Sequence, residues 1–297
     1  MRLRLSSSLL ALCLIAAVRP ASCAEHGTRG WTEETRTLRE AWTLAAGGRA
    51  VEVDNHSGPI TVTAHAGDRV EAVVRETVSG RTPEKLAEAR QEVKLVVEQR
   101  ADGVHLVVDG PFRCRDGRKG SWNDGWRGWE REGYKVVYAF ELRVPKEADL
   151  VLETVDEGDV RVDGVHGRFE VRNVNGDVVL ERIGGAGEAR TVNGPLRVSF
   201  ATNPSGPSEF ETVNGEVDVA FRAGLDADLR FKTMNGEAFT EFDYETRPLP
   251  VVPAGDRSKG RFILQRDGAY GIRIGSGGPE LAFATINGNI LVRNQDR

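Results

Sequence analysis

Apolar and polar residues alternate with period two along most of the chain, the pattern of strands with one buried face. Tyr134, Val136, Tyr138, Phe140, Leu142 and Val144 carry it over eleven residues before Pro145 closes the run. Glu40 to Thr77 reads as further strands. Val93, Leu95 and Val97 read as another, and Asp102-Gly103 leads into a partner over His105–Val108. One stretch is helical. Thr82-Pro83-Glu84 provides a capping hydroxyl, a proline at the first helical position and an early acid, which predicts a helix to about Gln91. Residues 25–35 are polar without alternation and read as loose chain.

In the second half the alternation is punctuated by five Asn-Gly pairs: Asn175-Gly176, Asn193-Gly194, Asn214-Gly215, Asn235-Gly236 and Asn287-Gly288. Four carry Thr two residues before the Asn (Thr191, Thr212, Thr233, Thr285), and Asn173 holds that place in the fifth. Four residues before the Asn stand Val171, Ala189, Phe210, Phe231 and Phe283; three after it stand Val178, Leu196, Val217, Ala238 and Ile290. Looser copies surround Gly158 (Leu152–Val162) and Gly58 (Val51–Val62). The turn glycines 158, 176, 194, 215 and 236 follow at steps of 18, 18, 21 and 21, and a step of 52 then leads to Gly288. That last step has room for further, degenerate turns.

Each copy is therefore strand, turn, strand, and two architectures produce such a series. Asn-Gly between alternating strands signals a tight hairpin, because both residues tolerate positive φ, and a series of hairpins is an antiparallel meander. The same Thr, Asn and Gly at one phase of a ~20-residue step also describe stacked coils, in which equivalent corners lie ~4.8 Å apart along an axis. The shared phase favours the coils, since a stacked corner lets one Asn side chain bond the next. The frame resembles a bacterial domain-of-unknown-function family described as adhesin-like with β-strand repeats, over roughly residues 48–293, in the unit Thr-x-Asn-Gly-x-Ile/Val-x-Leu/Val. The resemblance implies an extracytoplasmic β-solenoid and no established reaction. The expected fold class is all-β: a parallel β-solenoid of ~18–21-residue coils over 146–297, preceded by a β-rich capping region over 36–145 with one short helix.

Arg2 and Arg4 precede the apolar run Leu9–Val18, which Arg19 and Pro20 break before Ala21-Ser22-Cys23-Ala24. This is the build of a secretory signal peptide over residues 1–24, and the run is too short to span a bilayer. A rival reading makes Cys23 a lipid-modified first residue, although Pro20 stands where a lipobox takes Leu or Val. With cleavage after Ala24, Cys114 is the one remaining cysteine and no intramolecular disulfide forms. No later apolar stretch approaches a membrane helix, so the mature protein is expected to hold none. Asn55-His56-Ser57 is a formal glycosylation sequon.

Composition narrows the chemistry. Forty basic against 45 acidic side chains offer no broad basic surface for nucleic acid, and five His with three Cys leave little for a zinc cluster. No cofactor or metal is expected. Glycine is in excess, 34 of 297 residues against the ~7% of ordinary proteins, without the three-residue period of collagen.

Residues 110–133 (GPFRCRDGRKGSWNDGWRGWEREG) are the stretch that does not read as scaffold. They hold Trp122, Trp126 and Trp129, six basic side chains with Arg127 among them, and Cys114. A connection of that length points to function or disorder. Trp faces stack on sugar rings and Arg pairs with anionic groups, so one reading of the loop is a contact with envelope glycan, anionic lipid or another protein. The structural alternative packs these Trp under the loop or over the solenoid end. The Asn-Gly pairs read as turn chemistry, and His105 as a surface or core residue rather than a ligand. Function is expected to be a secreted or envelope-associated, periplasmic or extracellular, non-catalytic binding or structural role. The alternatives are envelope-stress sensing and a β-helix carbohydrate-active enzyme. The enzyme would need acids converging on one groove, whereas here they are dispersed through the repeats.

Overall fold

The computed structural model describes residues 30–45, 47–113, 133–247 and 269–297. The expected leader with Cys23, and Cys114, Trp122, Trp126, Arg127 and Trp129 of the long loop, lie outside the described residues. In sequence order the first elements are β1 (Thr32–Thr43), β2 (Ala50–Asp54), β3 (Ile60–His65), β4 (Arg69–Gly80) and the helix α1 (Pro83–Glu92). Next come β5 (Lys94–Gln99), β6 (Gly103–Asp109) and β7 (Tyr134–Pro145). Strands then follow in twos: β8 (Asp149–Glu153) with β9 (Val160–Asp163), β10 (Phe169–Arg172) with β11 (Val178–Ile183), and β12 (Gly187–Arg190) with β13 (Leu196–Phe200). After these stand β14 (Ser208–Glu211) with β15 (Val217–Phe221) and β16 (Ala227–Asn235) with β17 (Ala238–Thr240). The last elements are β18 (Tyr244–Arg247), β19 (Ala269–Ile274), β20 (Glu280–Asn287) and β21 (Ile290–Asn294).

Two open sheets hold every one of these strands. One runs β1-β4-β7-β3-β9-β11-β13-β15-β21-β17, the other β18-β19-β16-β20-β14-β12-β10-β8-β2-β6-β5. The strands flanking an Asn-Gly pair do not pair with each other, as a hairpin requires. They pair in parallel with their equivalents in the neighbouring repeats: Val178 with Leu196, Leu196 with Val217, Phe169 with Gly187. Each repeat therefore gives one strand to each sheet and turns between them at its Asn-Gly corner. The result is nearly all-β and solenoid-like. Antiparallel pairing is confined to the flanks: β1 with β4, β4 with β7, β5 with β6, and β16 with β19 and β19 with β18.

The final coil does not extend the stack. β20 lies between β14 and β16, and β21 between β15 and β17, so Leu281 is opposite both Ser208 and Leu229. Residues 248–268 of the 52-residue step, where degenerate turns were expected to have room, lie outside the described residues. The step carries the antiparallel β18 and β19 and then a coil that enters a layer left open between consecutive repeats. The open layer presented unpaired strand edges on both sides, and only a coil of the same phase satisfies them.

Inward side chains of both sheets form one core. Val51, Leu152, Val171, Phe210, Phe283 and Phe231 from one sheet face Ile60, Val162, Leu180, Val198, Val219 and Val292 from the other, all buried. Burial of each such residue contributes about 1.5–3 kcal/mol. Phe210, Phe283 and Phe231 stack at 5.4 and 5.3 Å in that spatial order. The helix starts where expected: Thr82 Oγ1 accepts from Lys85 N at 3.3 Å, Pro83 opens the first turn, and Leu86 and Ala89 are buried. The loose reading of residues 25–35 gives way at Thr32, where β1 begins and pairs with β4 along its whole length. β1 is an edge strand held by backbone bonds, with only Leu38 and Trp42 half-buried, so its sequence shows little alternation.

Candidate functional site

The Asn-Gly corners line up along the stack as an amide ladder. Asn193 Nδ2 donates to Asn175 Oδ1 at 2.9 Å, Asn214 to Asn193 at 2.9 Å, Asn287 to Asn214 at 2.7 Å and Asn235 to Asn287 at 2.8 Å. A second ladder runs beside it. Thr191, Thr212 and Thr285 donate from Oγ1 to the carbonyls of Gly176, Gly194 and Gly215 at 3.0, 2.9 and 3.0 Å, and Thr233 to Gly288 at 3.3 Å. Asn173 does the same to Gly158, and Thr154 to Gly58. Thr, or Asn173, recurs because its buried or half-buried side chain supplies the partner for a corner carbonyl of the adjacent layer, while the mostly exposed Asn amides bond one another along the outside. The glycine recurs because the layers touch there: a Cβ on Gly194 would stand 2.3 Å from the Gly176 carbonyl oxygen, and one on Gly288 only 1.9 Å from that of Gly215. At the interior corners, from Asn175 to Asn287, the side-chain amides and glycine N–H groups are bonded to neighbouring layers.

A different cluster forms the base of the long loop, which leaves β6 and returns at β7. Arg113 folds back on the strands: Nη1 donates to Asp54 Oδ2 at 2.8 Å, Nη2 to Asp54 O at 3.3 Å and Nε to Val108 O at 2.7 Å. Phe112 stacks on His56 with centroids 4.0 Å apart and planes within 7°. His56 occupies the corner position that Val155, Val174, Val192 and Val213 fill in other coils, and it is buried. Burial first, then the Arg113 cation, lower its pKa to about 4 against the opposite pull of Asp54. The ring is therefore neutral at neutral pH. Of the six basic residues in the loop, Arg113 is fastened to Asp54; Arg115, Arg118, Lys119, Arg127 and Arg131 follow it in sequence.

Elsewhere several titratable groups are committed to protein partners. His105, buried, sits between Glu52 Oε2 at 2.5 Å and Asp102 Oδ1 at 3.2 Å, and its hydrogen bond holds Asp102 below the usual carboxylate range. Glu76 is buried, accepts from the Tyr138 hydroxyl at 2.6 Å and pairs with Arg36; burial and then this carboxylate raise the Tyr138 phenol. Glu170, Glu188 and Glu209 stand in register on the outer face of one sheet, where Arg190 reaches Glu209 at 2.8 Å, Glu188 at 3.5 Å and Glu211 at 3.6 Å. The sequon asparagine, Asn55, is 1% exposed and donates to the carbonyls of Ser57, Gly58 and Tyr138, so the folded protein offers no glycan acceptor there. Among the described residues, no group of three or more His, Cys, Asp and Glu is placed to hold a metal ion, and no helix is long and apolar enough to cross a membrane.

The structure thus brings together Asn175, Asn193, Asn214, Asn287 and Asn235 with their glycines, in that spatial order, while the loop's Trp122, Trp126, Trp129 and Arg127 lie outside the described residues. Sequence reasoning missed the cluster of Asp54, His56, Phe112 and Arg113. A signal for it was present, since His56 interrupts a corner position that is aliphatic in the following coils.

Residues 147–248, which include the coils from β8 to β17, match the model of the Toastrack family, DUF4097. A search of the curated proteins found no match. Among solved structures, a "putative cell adhesion protein" from Clostridium sporogenes is similar over 88% of this chain and 100% of its own, at 9% identity and a TM-score of 0.40.

Proposed function

We propose that this protein is an extracytoplasmic, non-catalytic binding protein of adhesin-like type, in which the coil stack is a rigid platform and residues 110–133 make the contact. One observation carries the reading. The base of the loop is fastened to the platform by the Arg113–Asp54 ion pair and the Phe112–His56 stack. Fixing the point from which a segment departs reduces the entropy lost when it binds. That segment is rich in Trp and Arg, residues that recur at contact hot spots. The signal-like residues 1–24 support the location, and envelope glycan or anionic headgroups are the partner chemistry that Trp122, Trp126, Trp129 and Arg127 suit best.

The test is a variant with Trp122, Trp126 and Trp129 all replaced by Ala, compared with wild type in pull-downs on isolated envelope, on purified glycans and on anionic lipid vesicles. Binding should fall at least tenfold, the ~1.4 kcal/mol equivalent of one hot-spot contact. Equal binding by both proteins on every surface would remove the loop from the function.

A further inference from the structure

We propose that Asn235-Gly236 is a site of spontaneous deamidation, and that the stack shields the other four Asn-Gly pairs from the same chemistry. In such a pair the backbone nitrogen of glycine attacks the asparagine Cγ and forms a new bond to it. The bond from Cγ to Nδ2 breaks, ammonia leaves, and the cyclic imide takes up water to open as aspartate or isoaspartate. Water is the only co-reactant. A following glycine favours the step because no Cβ obstructs the approach. The step requires a backbone nitrogen free to move and an asparagine amide free to turn.

Four pairs lack both. Gly176 N–H donates to Asn193 O at 3.0 Å, Gly194 to Asn214 O at 3.1 Å, Gly215 to Asn287 O at 3.0 Å and Gly288 to Asn235 O at 3.1 Å. The amides of Asn193, Asn214 and Asn287 each donate to one neighbour and accept from the other. Asn175 accepts from Asn193 and donates to Val155 O at 3.3 Å.

Every one of these glycine N–H bonds points the same way along the stack, toward the coil β16–β17. Among the described residues that coil is the last of the parallel layers, because β17 ends its sheet and β19, which begins at Ala269, pairs with β16 from Ala227 to Lys232. Gly236 N–H consequently has no acceptor among the described residues, and Asn235 Oδ1 receives no donor there. Gly236 is also the one exposed glycine of the five pairs, and neighbouring Met234 is 72% exposed. Before reacting, an interior pair must break the glycine N–H bond and both ladder bonds of its asparagine. Of the bonds among the described residues, Asn235 breaks one, its own donation to Asn287.

The purified protein, folded or unfolded in urea, is held in mildly alkaline buffer and sampled over time. Arg182, Arg197, Arg222 and Arg273 place each pair on its own tryptic peptide, so mass spectrometry reads the amide-to-acid gain pair by pair. With two fewer bonds to break, at roughly a fivefold factor each, Asn235 should convert about twentyfold faster than any other pair in the folded protein. In urea the five rates should converge. Comparable rates in the folded protein, or an interior pair leading, would overturn the proposal.

Discussion

His56 links a single buried ring to the pH range of the fold. Its pKa lies at about 4 in the folded protein, against 6.5 for an ordinary imidazole. Well above pH 6.5 neither state binds the proton, and His56 contributes no pH dependence. As pH falls from there toward 4, the unfolded state takes up a proton that the folded state refuses, so stability declines; below about 4 the loss is complete. Its full extent is about 3 kcal/mol. His56→Val, which installs the residue found at this corner in later coils, should flatten urea-unfolding stability between pH 6.5 and 4 relative to wild type. Carboxylates titrate in the same range, so the difference between the two proteins carries the result. Parallel curves would dismiss His56 as the cause. At this scale the sequence was legible in identity but less so in cause. The corner glycines were recognisable from their phase, yet the reason expected for them was turn conformation. Gly176, Gly194 and Gly288 do hold positive φ, and the structure adds a second reason: the backbone of the next layer occupies the place of a Cβ, a contact between residues 18 or more apart that no local pattern reports.

The elements were the most legible level. Thr82-Pro83 placed the helix start, the alternation from Tyr134 placed β7, and the recurrence of Thr-x-Asn-Gly placed the corners, because each is a local signal with a local cause. β1 escaped for the opposite reason, its pairing being backbone to backbone along an edge. The ladder itself predicts a graded response. Asn214→Ala removes a donor to Asn193 and an acceptor for Asn287, and should cost about 1–2 kcal/mol. Asn235→Ala, at the ladder's end, removes one bond and should cost about half as much. Thr212→Val removes the hydroxyl of a buried side chain that donates to the half-buried Gly194 carbonyl and should cost about 1–3 kcal/mol. Urea midpoints rank the three; an Asn235→Ala cost equal to that of Asn214→Ala would mean the bonds along the ladder do not add.

In the molecule as a whole, the order of layers departs from the order of the sequence. The repeat phase identified Phe210, Phe231 and Phe283 as equivalent, but equivalence does not say which is adjacent to which. Steps of 21 residues made the coil of Gly236 look like the direct neighbour of the coil of Gly215, whereas Gly288 lies between them. This placement makes the last coil a joint rather than an addition. A truncation after residue 279 would lose β20 and β21, leaving Phe210 and Phe231 without the ring that stacks on both and β15 and β17 without the strand they share. Hydrogen exchange in the shortened protein should therefore show protection lost from β14 through β17, while β8 to β11 keep theirs, since their parallel partners are intact. Had the final coil simply extended one end, β14 to β17 would stay protected and only one edge would be newly exposed. Phe283→Ala in the full-length protein gives the same answer at smaller amplitude. It removes a buried ring with three aromatic neighbours, Phe210, Phe231 and Phe221, and should cost about 3–5 kcal/mol. The loss of protection should again fall on both sides of the inserted layer. Protection retained on the β16–β17 side would mean that this coil is held by β18 and β19 instead, and that the inserted coil joins nothing.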